Sequence, residues 1–181
     1  DQDSNTKFVH TMYFIPEGKL ENSDDKQSGA KYEDWTKQGI LTVLPGLDND
    51  LTKVADWFYQ LYKDYDIRTV VCGYDQRFAR EFKDRMEEYG IECEMVLQNA
   101  ETLNNAMRLC EQELKARHVN YNENELDRWC LGNASMKIDN FGRVLCIKIN
   151  NQATRRIDGA VTLIILYEMY RRYRGQLTQN N

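Results

Sequence analysis

The chain has 181 residues, 41% hydrophobic and 29% charged, with a net charge of −5. That length fits one domain with a sizeable core, and the acidic balance does not advertise a nucleic-acid binder. No stretch approaches the roughly 20 apolar residues that span a bilayer, and the opening Asp1-Gln2-Asp3-Ser4-Asn5 is not a signal peptide.

In chain order, Lys7 to Ile15 alternates well enough for a strand, stopped by Pro16-Glu17-Gly18. Residues 17–38 are polar, with acids at Glu21, Asp24 and Asp25, and are expected to form a mobile surface excursion. Ile40 to Leu44 is a short strand closed by Pro45-Gly46. Asp50 then caps a helix whose Leu51, Val54, Ala55, Phe58, Leu61, Tyr62 and Tyr65 recur at helical spacing, one buried face. A buried strand is expected from Ile67 to Cys72. A second helix follows from Gln76 to Tyr89, with Phe78, Phe82, Met86 and Tyr89 inward and Gly90 as its stop.

Ile91 to Leu97 is the next strand, and Glu101 to Arg117 a third helix, with Leu103, Ala106, Met107, Cys110 and Leu114 inward. A short helix covers Glu123 to Cys130. Ser135 to Ile138 and Arg143 to Ile149 flank Asp139-Asn140-Phe141-Gly142 as a hairpin. A final, largely apolar helix starts near Ile157. The β-α-β-α middle implies parallel strands with right-handed crossovers, and hairpins and antiparallel pieces are expected on the flanks. The sum is a mixed α/β sheet with helices on both faces, in a single domain over 1–181.

Five widely spaced cysteines without a CxxC pair suggest neither a zinc site nor a disulfide framework. They read as small core residues in a reducing cytosol. His10 and His118 lack ligand spacing and are read as structural or surface residues.

Two acids hold the chemical interest. Asp75 follows the apolar run Thr69 to Tyr74, at the carboxyl end of a parallel strand, where open α/β sheets bind ligands. Taken alone, it is better read as the cap of the next helix. Asp158 stands at the mouth of the apolar helix, where an acid also suits the helix dipole. Apolar neighbours argue against a merely solvated carboxylate there, because a buried one is costly unless paired or bound to metal. Residues 137–181 carry 8 Lys+Arg against 3 Asp+Glu, so positive charge concentrates around this helix. Arg171, Arg172 and Arg174 are explained by its carboxyl end. Arg155 and Arg156, ahead of its start, call for a partner anion. Lys148 could reach a phosphate or remain a solvated strand-edge lysine. Paired aspartates suit hard ions such as Mg²⁺ or Mn²⁺, and two such ions can clamp the attacking water and leaving oxygen of a phosphodiester.

A wider set of residues carries a family resemblance. It runs from Phe14-Ile15-Pro16-Glu17 through Tyr32, Trp35, Gly39, Leu41 and Pro45-Gly46 to Gly73-Tyr74-Asp75 and Gln98. It continues through Trp129-Cys130, Asn133, Asp139, Gly142 and Lys148 to Arg156-Ile157-Asp158-Gly159. In this order the set resembles the nuclease domain of the large terminase subunit of tailed bacteriophages and prophages. The resemblance implies an RNase H-like fold and cleavage of concatemeric double-stranded DNA during genome packaging, with Mg²⁺ or Mn²⁺. It implies that Asp75 and Asp158 are two of the metal-binding acids. Gln98, Trp129 and Asn133 match without an assigned catalytic role.

The family's first acid sits on a strand ahead of the segment matching Lys7 to Ile15, and Asp1 and Asp3 are poor substitutes. The chain is therefore expected to be an N-terminally truncated nuclease domain, lacking its first strand and an upstream ATPase domain. No GxxxxGK[ST] loop occurs in it. Portal and small terminase subunit would be met through the full-length protein, in the cytoplasm of a bacterial host, with no membrane. The alternative is a non-catalytic RNase H-like interaction or docking module of a packaging motor. A small doubly wound domain with Asp75 as a ligand-binding acid is a third reading.

Overall fold

The computed structural model describes residues 5–76 and 80–177. Among the described residues, eight short strands form four two-stranded ladders. Three are parallel: β1 (Lys7–Phe8) with β6 (Val119–Asn120), β2 (Tyr13–Pro16) with β3 (Leu41–Leu44), and β4 (Cys72–Tyr74) with β5 (Cys93–Met95). The fourth is the antiparallel hairpin of β7 (Ala134–Ile138) and β8 (Val144–Lys148), at the place its turn residues predict. The amino-terminal flank thus differs from expectation, because its ladders are parallel. The single strand expected from Lys7 to Ile15 is two, β1 and β2, facing different partners.

Seven α-helices among the described residues accompany these ladders. The polar stretch 17–38 is not a loose excursion: it contains α1 (Ser23–Gln27) and α2 (Tyr32–Lys37). Asn22 caps α1 by accepting from the Asp25 amide. Tyr32 and Trp35 of α2 pack with Leu41, Leu126 and Cys130, joining α2, β3 and α6 (Glu125–Gly132) in one apolar cluster. The aromatic pair, two residues among many polar ones, is what holds this segment down.

The helix α3 (Leu51–Tyr65) begins where Asp50 accepts from the Thr52 amide. Its inward face holds at Ala55 but fails towards the carboxyl end, where Tyr62 and Tyr65 are exposed. Ile67 and Val70 are also exposed, so the buried strand is β4, shorter and later than Ile67 to Cys72. Phe82 and Met86 of α4 (Arg80–Glu88) pack with Ala55 and Cys72; Phe78 lies outside the described residues. At Gly90 a φ of +73° lets the chain turn back after α4.

The largest cluster joins α5 (Ala100–Lys115), Val96, Val144 of β8 and the long helix α7 (Asp158–Leu177). Strand β4 has helices on both faces. Cys72 packs among α3 and α4, while Gly73 faces α7, where a Cβ would stand 2.5 Å from Met169 Cγ and 3.0 Å from Ile165 Cγ2. Only a residue without a side chain permits that approach. The cysteines are free thiols, with Cys72, Cys110 and Cys130 buried and Cys93 and Cys146 partly so. His10 lies against Trp57 at 5.6 Å between ring centroids. No helix among the described residues is long and apolar enough to cross a membrane.

Candidate active site at the amino end of the last helix

Asp158 is the first residue of α7 and is exposed rather than enclosed by the apolar run behind it. The sequence argument from a buried carboxylate therefore does not apply; burial begins at Ala160. What surrounds Asp158 is a network that fixes the chain entering the helix. Arg156 donates to both oxygens of Asp25, Nε to Oδ1 at 2.6 Å and Nη2 to Oδ2 at 3.2 Å. Tyr32 completes the group by donating to Asp25 Oδ2 at 2.9 Å. Asp25 is 2% exposed, and this fork is the planar bidentate geometry for which a guanidinium is suited. Burial pushes the Tyr32 hydroxyl up, and its hydrogen bond to Asp25 adds to the shift.

Arg155 is held as well. Its Nε donates to Gln152 Oε1 at 3.0 Å, and its Nη1 reaches Ser28 O and Asn133 Oδ1, each at 3.3 Å. Asn133 is buried and ties three segments together: its amide nitrogen donates to Arg156 O, its side-chain oxygen accepts from Arg155, and its carbonyl accepts from Ile149 N–H. Trp129 donates to Ser28 O at 2.9 Å, anchoring the same loop. The anion expected for Arg156 is therefore internal, the buried Asp25 of a stretch whose acids read as exposed, whereas Arg155 is held by neutral oxygens.

Gly159 explains a second contact. A Cβ there would fall on the Tyr13 hydroxyl and stand 3.2 Å from Cys130 Cβ. Tyr13 uses that hydroxyl to donate to Asp127 Oδ1 at 2.5 Å, and Thr11 donates to Asp127 Oδ2 at 3.0 Å. Burial raises the Asp127 carboxyl above the usual aspartate range, against the hydrogen bonds from Tyr13 and Thr11. The second glycine of the site is thus a packing requirement: α7 starts against a ring whose far end is fixed.

Lys148 ends β8, and its Nζ donates to Ala153 O at 2.6 Å, in the connection that leads to Asp158. An ammonium has three donors, so this bond leaves capacity for an anion. Asp75 follows β4 directly and is partly buried. Glu94, opposite Gly73 in the ladder, takes a hydrogen bond from Tyr173 and an ion pair from Arg172 at 2.8 Å. Gly73 meets Ile165 and Met169. Asp75 thus follows a strand packed on α7, the helix that Asp158 opens. No hydrogen bond links the two aspartates among the described residues.

The two aspartates offer hard oxygen donors of the kind Mg²⁺ and Mn²⁺ take. They agree with that chemistry in kind but fall short in number. Among the described residues, no group of three or more His, Cys, Asp or Glu side chains is arranged to hold a metal ion.

Residues 2–173 match the family described as terminase large subunit, endonuclease domain. Protein YmfN of Escherichia coli (strain K12) is 21% identical over 146 residues, which is 81% of this chain and 32% of that protein. The crystal structure of the HK97 bacteriophage large terminase superposes with a TM-score of 0.72 at 22% identity, over 86% of this chain and 32% of that one. The chain spans about a third of the length of each. Its mixed α/β architecture is RNase H-like, as the residue pattern implied. By the match over nearly its whole length, the chain belongs to the terminase large subunit endonuclease domain family.

Proposed function

We propose that this chain is the nuclease part of a DNA-packaging motor, cutting concatemeric double-stranded DNA in the cytoplasm of a bacterial host. Asp75 and Asp158 are the metal-binding acids it contributes, and Mg²⁺ or Mn²⁺ is the ion. The observation that supports this is the packing of β4, which Asp75 follows, on α7, which Asp158 opens behind a hydrogen-bonded entry loop. Two carboxylates with water and phosphate oxygens are a donor set that Mg²⁺ commonly takes. A bound divalent ion supplies Lewis-acid polarisation of the scissile phosphate and a water of lowered pKa.

The residues of the chain supply placement. Asn133, Arg155 and the Arg156–Asp25 fork fix the loop, and Gly159 and Tyr13 fix the helix start, so the backbone is held on both sides of Asp158. Lys148 offers its unused donors to a phosphate oxygen. Contacts with portal and small terminase subunit belong to the full-length protein.

The test is plasmid cleavage by the full-length protein with Mn²⁺. Asp75→Asn and Asp158→Asn should each lower the rate by at least ~100-fold, the scale on which a removed catalytic group acts, with folding retained. Lys148→Ala should lower it by ~10-fold or more. Cleavage undiminished in both Asn variants would refute the assignment.

A non-catalytic docking module is the second reading. It is favoured by one observation: Arg155 and Arg156 are engaged within the chain and are not a ready-made DNA-binding patch. A full-length protein that packages DNA but never cleaves it would establish that reading.

A further inference from the structure

We propose that Cys72 and Cys93 form an oxidisable dithiol, a modification site that closes reversibly to a disulfide between β4 and β5. The two residues are direct partners in the parallel ladder. Neighbouring strands lie about 4.8 Å apart, inside the roughly 4.4–6.8 Å that disulfide Cα atoms span. Directly opposed residues project to the same face of a ladder, and both cysteines pack in the one cluster under α3 and α4. Cys72 is buried whereas Cys93 is partly exposed, so an oxidant meets Cys93 first.

The electrostatics assign the same roles. The interaction of the two neighbouring thiols lowers Cys93 below the ordinary thiol value and raises Cys72. Lys83 also favours the Cys93 thiolate, while burial and Glu87 oppose it. Cys110 and Cys146 also neighbour each other. Burial pushes Cys110 up to about 12 and Cys146 up to about 11, so neither becomes a ready thiolate.

The step needs a hydroperoxide as oxidant. The Cys93 thiolate attacks the O–O bond; an S–O bond forms, the O–O bond breaks, and the departing oxygen takes a proton. Cys72 then attacks the sulfenic sulfur and loses its proton. The S–S bond forms, the S–O bond breaks, and hydroxide leaves as water. Two thiols are oxidised by two electrons, and one peroxide is reduced. Two Cβ atoms held about a strand spacing apart exceed the preferred ~3.5–4.5 Å of a disulfide, which makes the bond easy to reduce.

The experiment is brief hydrogen peroxide treatment of the folded protein, then alkylation, non-reducing digestion and mass spectrometry. The expected product joins the Cys72 and Cys93 peptides, disappears on adding dithiothreitol, and forms at least ~10-fold faster than any oxidation at Cys110 or Cys146. In Cys72→Ala, Cys93 should instead accumulate as a dimedone-trapped sulfenic acid. The wild-type cross-link remains decisive if that variant fails to fold. Alkylation of both Cys72 and Cys93 after peroxide, or equal cross-linking of Cys110 to Cys146, would overturn the proposal. Neither outcome depends on nuclease activity, so the dithiol and the nuclease reading can fail separately.

Discussion

A methyl group added at position 159 competes with one hydroxyl. In Gly159→Ala the new Cβ falls on the Tyr13 hydroxyl, and Tyr13 cannot simply swing away, because it is packed against the α2–α6 cluster and bonded to Asp127. Overpacking of this kind costs about 1–3 kcal/mol, and a lost hydrogen bond to a charged group about 1.5–3 kcal/mol. Ala in place of Gly within a helix returns roughly 0.5–1 kcal/mol. The net expectation is destabilisation by about 1.5–5.5 kcal/mol.

Tyr13→Phe removes the hydroxyl and leaves Asp127 with Thr11, costing about 1.5–3 kcal/mol. It also removes the atom with which the methyl collides, leaving the nearest contacts at 3.0 Å to the ring carbon and 3.2 Å to Cys130 Cβ. The double variant should therefore be less destabilised than the sum of the singles, by at least ~1 kcal/mol. Urea denaturation of the four proteins measures this. Additive effects, or a Gly159→Ala variant as stable as wild type, would refute the packing argument and with it the reason for glycine beside Asp158.

The Arg156–Asp25 fork should be felt at a distance. Asp25→Asn is expected to lower stability by about 1.5–3 kcal/mol, the range for a charged hydrogen bond rather than a fully buried pair, because the Arg156 side chain is 38% exposed. A urea midpoint within error of wild type would contradict it. Acid should also weaken the protein through the outer half of α7. The Tyr173 hydroxyl holds Glu94 below the usual glutamate range, with Arg172 assisting against burial. That contribution is present above the unfolded value near 4.5 and is lost as pH falls through the lower folded value. Tyr173→Phe should flatten the fall in urea midpoint below pH ~4.5; an unchanged slope would show that Glu94 is not responsible.

The sequence displays the helices better than the ladders. Helix α5 announces itself, because Leu103, Ala106, Met107 and Cys110 repeat on one face and are buried there. The hairpin of β7 and β8 is equally legible from its Asp-Asn-Phe-Gly turn. Two- and three-residue strands such as β1, β4 and β6 carry too little alternation to place, and exposed Ile67 and Val70 imitate a strand that forms further along. At the site, Asp158 is visible as an acid before an apolar helix. The reason for Arg156 is not, because its partner Asp25 lies 131 residues earlier in a stretch whose polarity hides a buried acid. Likewise Gly159 looks permissive until Tyr13, from the opposite end of the chain, supplies the atom that requires it.

The most direct test of the central claim is metal binding itself. Manganese(II) titration of the protein, followed by electron paramagnetic resonance and melting temperature, should show saturable binding that raises the melting temperature. Both effects should be lost in Asp75→Asn and in Asp158→Asn, while Glu101→Gln, on the exposed face of α5, leaves them intact. Binding that persists unchanged in either aspartate variant would contradict a metal site built on these two carboxylates.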